Sequence, residues 1–204
     1  MSNEVVQTLQ KQSRMFIRIL NAMIVILGIL FVVMLIGGIV SFFLSVDQFQ
    51  LEIGVSHWKI TAQISNYFSL FADIPFHILQ STTFAFHTKT AFLIFHFAKS
   101  IVTFAAIICV IYLVKKIVIS FSENSPFTPQ NVKRVQIIGY IIIGYFGLVD
   151  LLVSLCLNIF VMDNISIYLF GVFRPLGLGL GFLLLLLAKV FQYGVFLQNK
   201  EGVA

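Results

Sequence analysis

The chain predicts an all-α integral membrane protein with four transmembrane helices, both termini cytoplasmic (N-in/C-in), and a small extracytoplasmic β-hairpin and aromatic loop between helices one and two. Three observations predict it. Of the 204 residues, 59% are apolar and 10% are charged, where a soluble domain has roughly 25% charged. The 23 Phe residues would leave a water-soluble fold of this size without enough polar surface to cover it. Four apolar stretches, at about 22–44, 97–119, 136–158 and 173–197, each approach or exceed the ~20 residues that carry a helix across about 30 Å of hydrocarbon. The chain reads as one domain, 1–204, with its sizeable loop at 47–90.

Taken in order, Ala22 to Leu44 is the first span. It is too long for a secretory leader, and no small-x-small cleavage site comes after it, so it is expected to remain as an anchor. Upstream, Lys11, Arg14 and Arg18 recur at helical spacing. They predict either a surface helix on anionic lipid or ordinary basic flanking. In the loop, Phe49, Leu51, Ile53 and Val55 alternate with polar residues, as do Trp58, Ile60, Ala62 and Ile64, with Ser56-His57 between. That pattern predicts a two-stranded hairpin with both apolar sets on one face. Tyr67 to Phe86 is rich in aromatics and reads as interfacial material.

The second span must run past one lysine, because 16 positions separate Lys99 from Lys115. Either Lys99 is buried, or Lys115 and Lys116 snorkel to the headgroups. The third span holds a single charge, Asp150. The fourth run breaks at Arg174-Pro175. Between spans two and three lies a polar island, Ser125 to Arg134. Thr128 is expected to cap the third helix with Pro129 at its first position and Phe127 stapled onto Val132.

Basic residues are biased towards the side that carries both termini and the polar island, which the positive-inside rule makes cytoplasmic. The net charge of +5 is scattered through apolar runs instead of being gathered on a soluble module, so direct nucleic-acid binding is not expected. Cys109 and Cys156 lie in apolar runs at different depths and read as buried thiols without a disulfide.

The sequence holds no Gly-Lys-Ser/Thr phosphate loop, His-Glu-x-x-His, paired-cysteine box or Gly-x-Ser-x-Gly elbow. No catalytic, cofactor or metal site is therefore expected. The four histidines, His57, His77, His87 and His96, have no compact ligand spacing. What stands out is a polar cluster at one depth. Lys99 lies 16 residues from Lys115 and Asp150 lies 16 residues from Arg134, with Arg174 at the outer start of span four. Helical spacing adds His96 to the Lys99 face, and places Gln136, Tyr140, Gly147, Asp150, Ser154 and Asn158 on one stripe. Two uses of this cluster are open: neutralising Asp150 to hold the bundle together, or a ligand, proton or ion path. Gly177-x-x-x-Gly181 permits close helix contact within the bundle or in a homo-oligomer.

Two segments resemble a family of small bacterial membrane proteins known as domain of unknown function 2975. One is Pro126-Phe127-Thr128-Pro129-Gln130-Asn131-Val132; the other is Leu187-Ala188-Lys189-Val190-Phe191 with Gly194, Leu197 and Gln198. The resemblance implies a four-span protein of the bacterial cytoplasmic membrane, often encoded beside a small helix-turn-helix regulator. It implies a regulatory or interaction role, as a membrane partner of that regulator or in protection against envelope stress or antimicrobial peptides. Pro126, Phe127, Thr128, Asn131, Lys133 and Arg134 would then form a cytoplasmic docking motif. The alternative is a small transporter or channel component using Lys99, Asp150 and Arg174.

Overall fold

The computed structural model describes residues 3–76, 78, 87–123, 127–161 and 174–201. His77, the rest of the aromatic segment at 79–86, Pro126, and the run 162–173 lie outside the described residues.

The described chain is mostly helical. Helix α1 spans Asn3–Phe43, and strands β1 (Phe49–Ile53), β2 (His57–Ser65) and β3 (Phe68–Pro75) come after it. Next are α2 (Thr88–Phe95), a π-helical segment π1 (His96–Ile101) and α3 (Val102–Ser122), which run without interruption. Then α4 (Pro129–Gly144), π2 (Tyr145–Val149) and α5 (Asp150–Val161) form a second continuous rod, and α6 (Pro175–Glu201) closes the order. Among the described residues four helical stretches are long and apolar enough to cross a membrane: Gln12–Phe43, Thr88–Ser122, Pro129–Val161 and Pro175–Gln198. Their large apolar side chains stay exposed in rows, as with Ile26, Ile29, Val33 and Ile36 on α1 and Leu183, Leu186 and Val190 on α6. Rows of this kind are untenable in water and ordinary against lipid tails. The protein is a membrane protein.

Helix α1 is unbroken from Asn3, so Lys11, Arg14 and Arg18 extend the spanning helix itself, which agrees with basic flanking and not with a separate surface helix. Two expectations change. The loop holds a three-stranded antiparallel sheet in the order β1-β2-β3, not a two-stranded hairpin. Its third strand comes from the segment read as interfacial, because Leu70, Ala72 and Ile74 alternate with Ser69, Phe71 and Asp73 and bury one face. The β1–β2 turn also falls one residue early. Gly54 N–H donates to His57 O at 2.9 Å, which leaves Val55 and Ser56 at the tip, and Val55 is fully exposed.

The described residues divide into two compact units. In the unit formed by Ile29–Ala105 and Gly144–Pro175, the inner sheet face (Trp58, Ile60, Ala62, Leu70, Ala72, Ile74) packs in one core with Ala91, Phe92 and Phe95 of α2 and Val153, Leu157 and Val161 of α5. Lys89 closes the end of α1, donating to Phe42 O at 2.9 Å and Leu44 O at 2.6 Å. A cation there meets the negative end of the helix dipole.

The other unit comprises Met1–Gly28, Ala106–Ile143 and Leu176–Ala204, with Val132, Val135, Ile138 and Ala188 buried. Here α4 and α6 meet at Gly139 and Gly181. A Cβ on Gly181 would lie 2.5 Å from Ile143 Cγ1 and 3.1 Å from Gly139 O, so the crossing admits no side chain. Gly181 is used inside the chain. Neither cysteine is in a disulfide, and Cys109, expected to be buried, is exposed on its helix.

Candidate functional site

Asp150 opens α5 and is almost fully buried. Its Oδ1 accepts a hydrogen bond from Lys99 Nζ, and its Oδ2 lies 3.3 Å from Arg174 Nε. The carboxylate therefore spends one oxygen on each cation. Exposure differs sharply within the cluster: the side chains of Asp150 and Lys99 are 6% and 14% exposed, and that of Arg174 is 47% exposed. Lys99 is further covered by the Phe95 ring, 5.9 Å from its ammonium.

Both rods change their winding at this cluster. Lys99 stands inside π1, and Asp150 directly succeeds π2. A π turn carries an extra residue, so it rotates the downstream helix face relative to the upstream one. This explains a departure from the expected stripe on span three. Gly147, Asp150, Ser154 and Asn158 are buried together, but Tyr140 on the far side of π2 is 62% exposed. The two π segments are also tied to each other: Tyr145 OH and Thr103 Oγ1 lie 2.8 Å apart, and Thr103 Oγ1 donates to Lys99 O at 2.7 Å. Below Asp150 the polar row continues. Ser154 Oγ donates to Ile78 O at 3.0 Å, and Asn158 Nδ2 donates to Ser154 O at 2.7 Å.

His96 is adjacent in sequence to the cluster but serves a different contact. It is completely buried, stacked on Phe92 and edge-on to Phe97, with Nε2 3.0 Å from Met34 O. A neutral ring protonated on Nε2 satisfies that carbonyl; Nδ1 then has no partner among the described residues. Gly38 makes room for the ring, since a Cβ there would lie 2.7 Å from Cδ2 and Nε2. His96 thus joins α1 to the continuous α2–π1–α3 helix and does not touch the carboxylate. Elsewhere, His57 Nε2 lies 3.7 Å from Asp73 on the sheet. Among the described residues no three His, Cys, Asp or Glu side chains converge as a metal site would require.

In the other unit, the polar island is built as its residues suggest at the cap. Thr128 Oγ1 accepts from Asn131 N–H at 3.2 Å, and α4 begins at Pro129. Asn131 is buried, and Arg134 is turned inward, its Nη1 donating to Asn131 Oδ1 at 2.7 Å, Lys116 O at 3.1 Å and Ser120 Oγ at 3.3 Å. Arg134 so ties the end of α3 to the start of α4. Phe127 packs on Phe191, with ring centroids 5.6 Å apart, and fills the space left by Gly194, where a Cβ would lie 2.6 Å from its ring. The two segments that carry the family resemblance therefore fold onto each other. Phe127 stays partly exposed in that contact, and Gln130 and Lys133 on the first turns of α4 are exposed.

A family model described as "Protein of unknown function (DUF2975)" matches residues 77–200. No curated protein and no solved structure matches the chain.

Proposed function

The chain belongs to the family of proteins of unknown function DUF2975, and from that premise we propose a non-enzymatic, multi-pass protein of the bacterial cytoplasmic membrane that works by binding a partner. The observation that carries this reading is the pairing of the two family segments through Phe127, Phe191 and Gly194, while Phe127 itself and, farther along the first turns of α4, Gln130 and Lys133 remain exposed. Such an edge, stiffened from behind by the Arg134 bonds, presents a preformed surface at little ordering cost. Both termini and this edge are cytoplasmic on the positive-inside rule. The partner is a small helix-turn-helix regulator of the kind encoded beside family members, and the protein itself touches no nucleic acid. In this account Lys99 and Arg174 neutralise Asp150 and hold the bundle, consistent with both carboxylate oxygens being engaged.

The test is co-purification from membranes with the neighbouring regulator. Wild-type protein retains the regulator, and Lys133→Glu releases it without loss of protein from the membrane. Equal capture by both would sink the docking edge.

One observation favours a second reading, transport along the charged cluster: π turns gather at functional sites, and here one contains Lys99 and another ends immediately before Asp150. Liposome flux abolished by Asp150→Asn, in protein that remains folded, would replace the binding account with this one.

A further inference from the structure

Among the described residues the cluster around Asp150 is out of charge balance. Lys99 and Arg174 bring two cations to one carboxylate, and two of the three side chains are withdrawn from solvent. An unbalanced positive charge at the edge of hydrocarbon is costly, and it is relieved by drawing in an anion or a headgroup. The structure also indicates where that anion would sit. Arg174 uses Nε on Asp150, and its side chain is 47% exposed. Among the described residues its Nη1 and Nη2 have no acceptor. The guanidinium fork is planar and suited to two oxygens of one phosphate. The other acids of the sheet are engaged elsewhere, Glu52 with Lys59 at 3.4 Å and Asp73 with His57 at 3.7 Å. Around Asp150 the helix turns an apolar face away from the cluster: Leu148 and Leu152, two residues either side of it, are 57% and 55% exposed. The cluster therefore lies at the level of lipid-covered helix surface, and an anion that reaches the exposed Arg174 from that lipid carries acyl chains.

We propose that the phosphate of a phospholipid headgroup is the fourth member of the cluster, held by the outer edge of the Arg174 guanidinium. The proposal rests on the reading of Lys99, Asp150 and Arg174 as a fixed-charge assembly in a membrane protein, and it is independent of the docking edge at Lys133. The bond is a charge-assisted hydrogen-bond pair, and headgroup identity beyond the phosphate adds little.

Native mass spectrometry of the detergent-purified protein tests it, with phosphatidylglycerol, phosphatidylethanolamine and phosphate-free diacylglycerol offered in equal amounts. Wild type is expected to retain both phospholipids about tenfold over diacylglycerol, and Arg174→Gln to lose that preference. Arg174→Lys, which keeps a cation on Asp150 but gives up the fork, is expected to keep the fold and part of the preference. It therefore carries the test if the Gln variant fails to fold. Equal lipid retention by folded wild type and folded variants overturns the proposal. Displacement of the lipid by millimolar inorganic phosphate also overturns it, assigning the site to a soluble anion. Regulator capture is measured on the same variants. Intact capture with lost lipid preference supports the lipid site, whereas intact lipid preference with no capture by wild type removes the docking reading alone.

Discussion

At the scale of single residues, Asp150 decides most. A carboxylate in an apolar surrounding persists as an anion only when paired, and here each oxygen meets a different cation. Asp150→Asn is expected to leave Lys99 buried without its counter-charge and to destabilise by about 3–5 kcal/mol, read as a fall in thermal midpoint in detergent. Adding Lys99→Met should recover part of that loss, because the second change removes the stranded ammonium; a double variant no better than the single one would argue against the pairing. Gly38 makes a similar point about space. With a Cβ at 2.7 Å from the buried His96 ring, Gly38→Ala is expected to cost about 1–3 kcal/mol by overpacking. The charged trio is legible in the sequence because each member is a lone charge in an apolar run and lies at a countable helical depth. The Gly38–His96 contact is not, since a glycine in an apolar run has several uses and only the fold says which ring it faces.

Elements show where pattern reading holds and where it loses phase. The cap at Thr128 is readable because its signal is local: a hydroxyl, a proline and the turn after them. Thr128→Ala is expected to cost about 1 kcal/mol, and Gly194→Ala should be worse by expelling Phe127 from its place on Phe191. Both are measured by thermal unfolding, with loss of regulator capture expected for the Gly194 variant. The staple expected from Phe127 to Val132 rests on local spacing alone, whereas the observed partner of the ring, Phe191, lies far along the chain on α6. Strand β3 is hidden for another reason. Phe71 stands on its outer face and Phe68 is exposed at its first position, so a strand with aromatics open to its surroundings reads as interfacial material. The π segments are invisible, because an extra residue in a turn leaves no composition signature; they surface only as Tyr140 falling off the stripe that Asp150 shares.

For the molecule as a whole, composition alone carries the class: apolar rows on α1 and α6 are exposed because lipid, not protein, covers them. Orientation is argued from basic bias and has a direct check. Single cysteines at Val55 and Lys133, introduced after replacing Cys109 and Cys156, are expected to react with an impermeant thiol reagent from opposite sides, Val55→Cys in intact cells and Lys133→Cys only after permeabilisation. Labelling of both in intact cells would contradict N-in/C-in topology. The measurement that bears most directly on the account is regulator capture from membranes by wild type, Lys133→Glu and Asp150→Asn, with liposome flux recorded on the same preparations. Capture by wild type, its loss with Lys133→Glu, and no flux dependent on Asp150 are expected. Flux that disappears in folded Asp150→Asn protein, together with capture indifferent to Lys133, would contradict it.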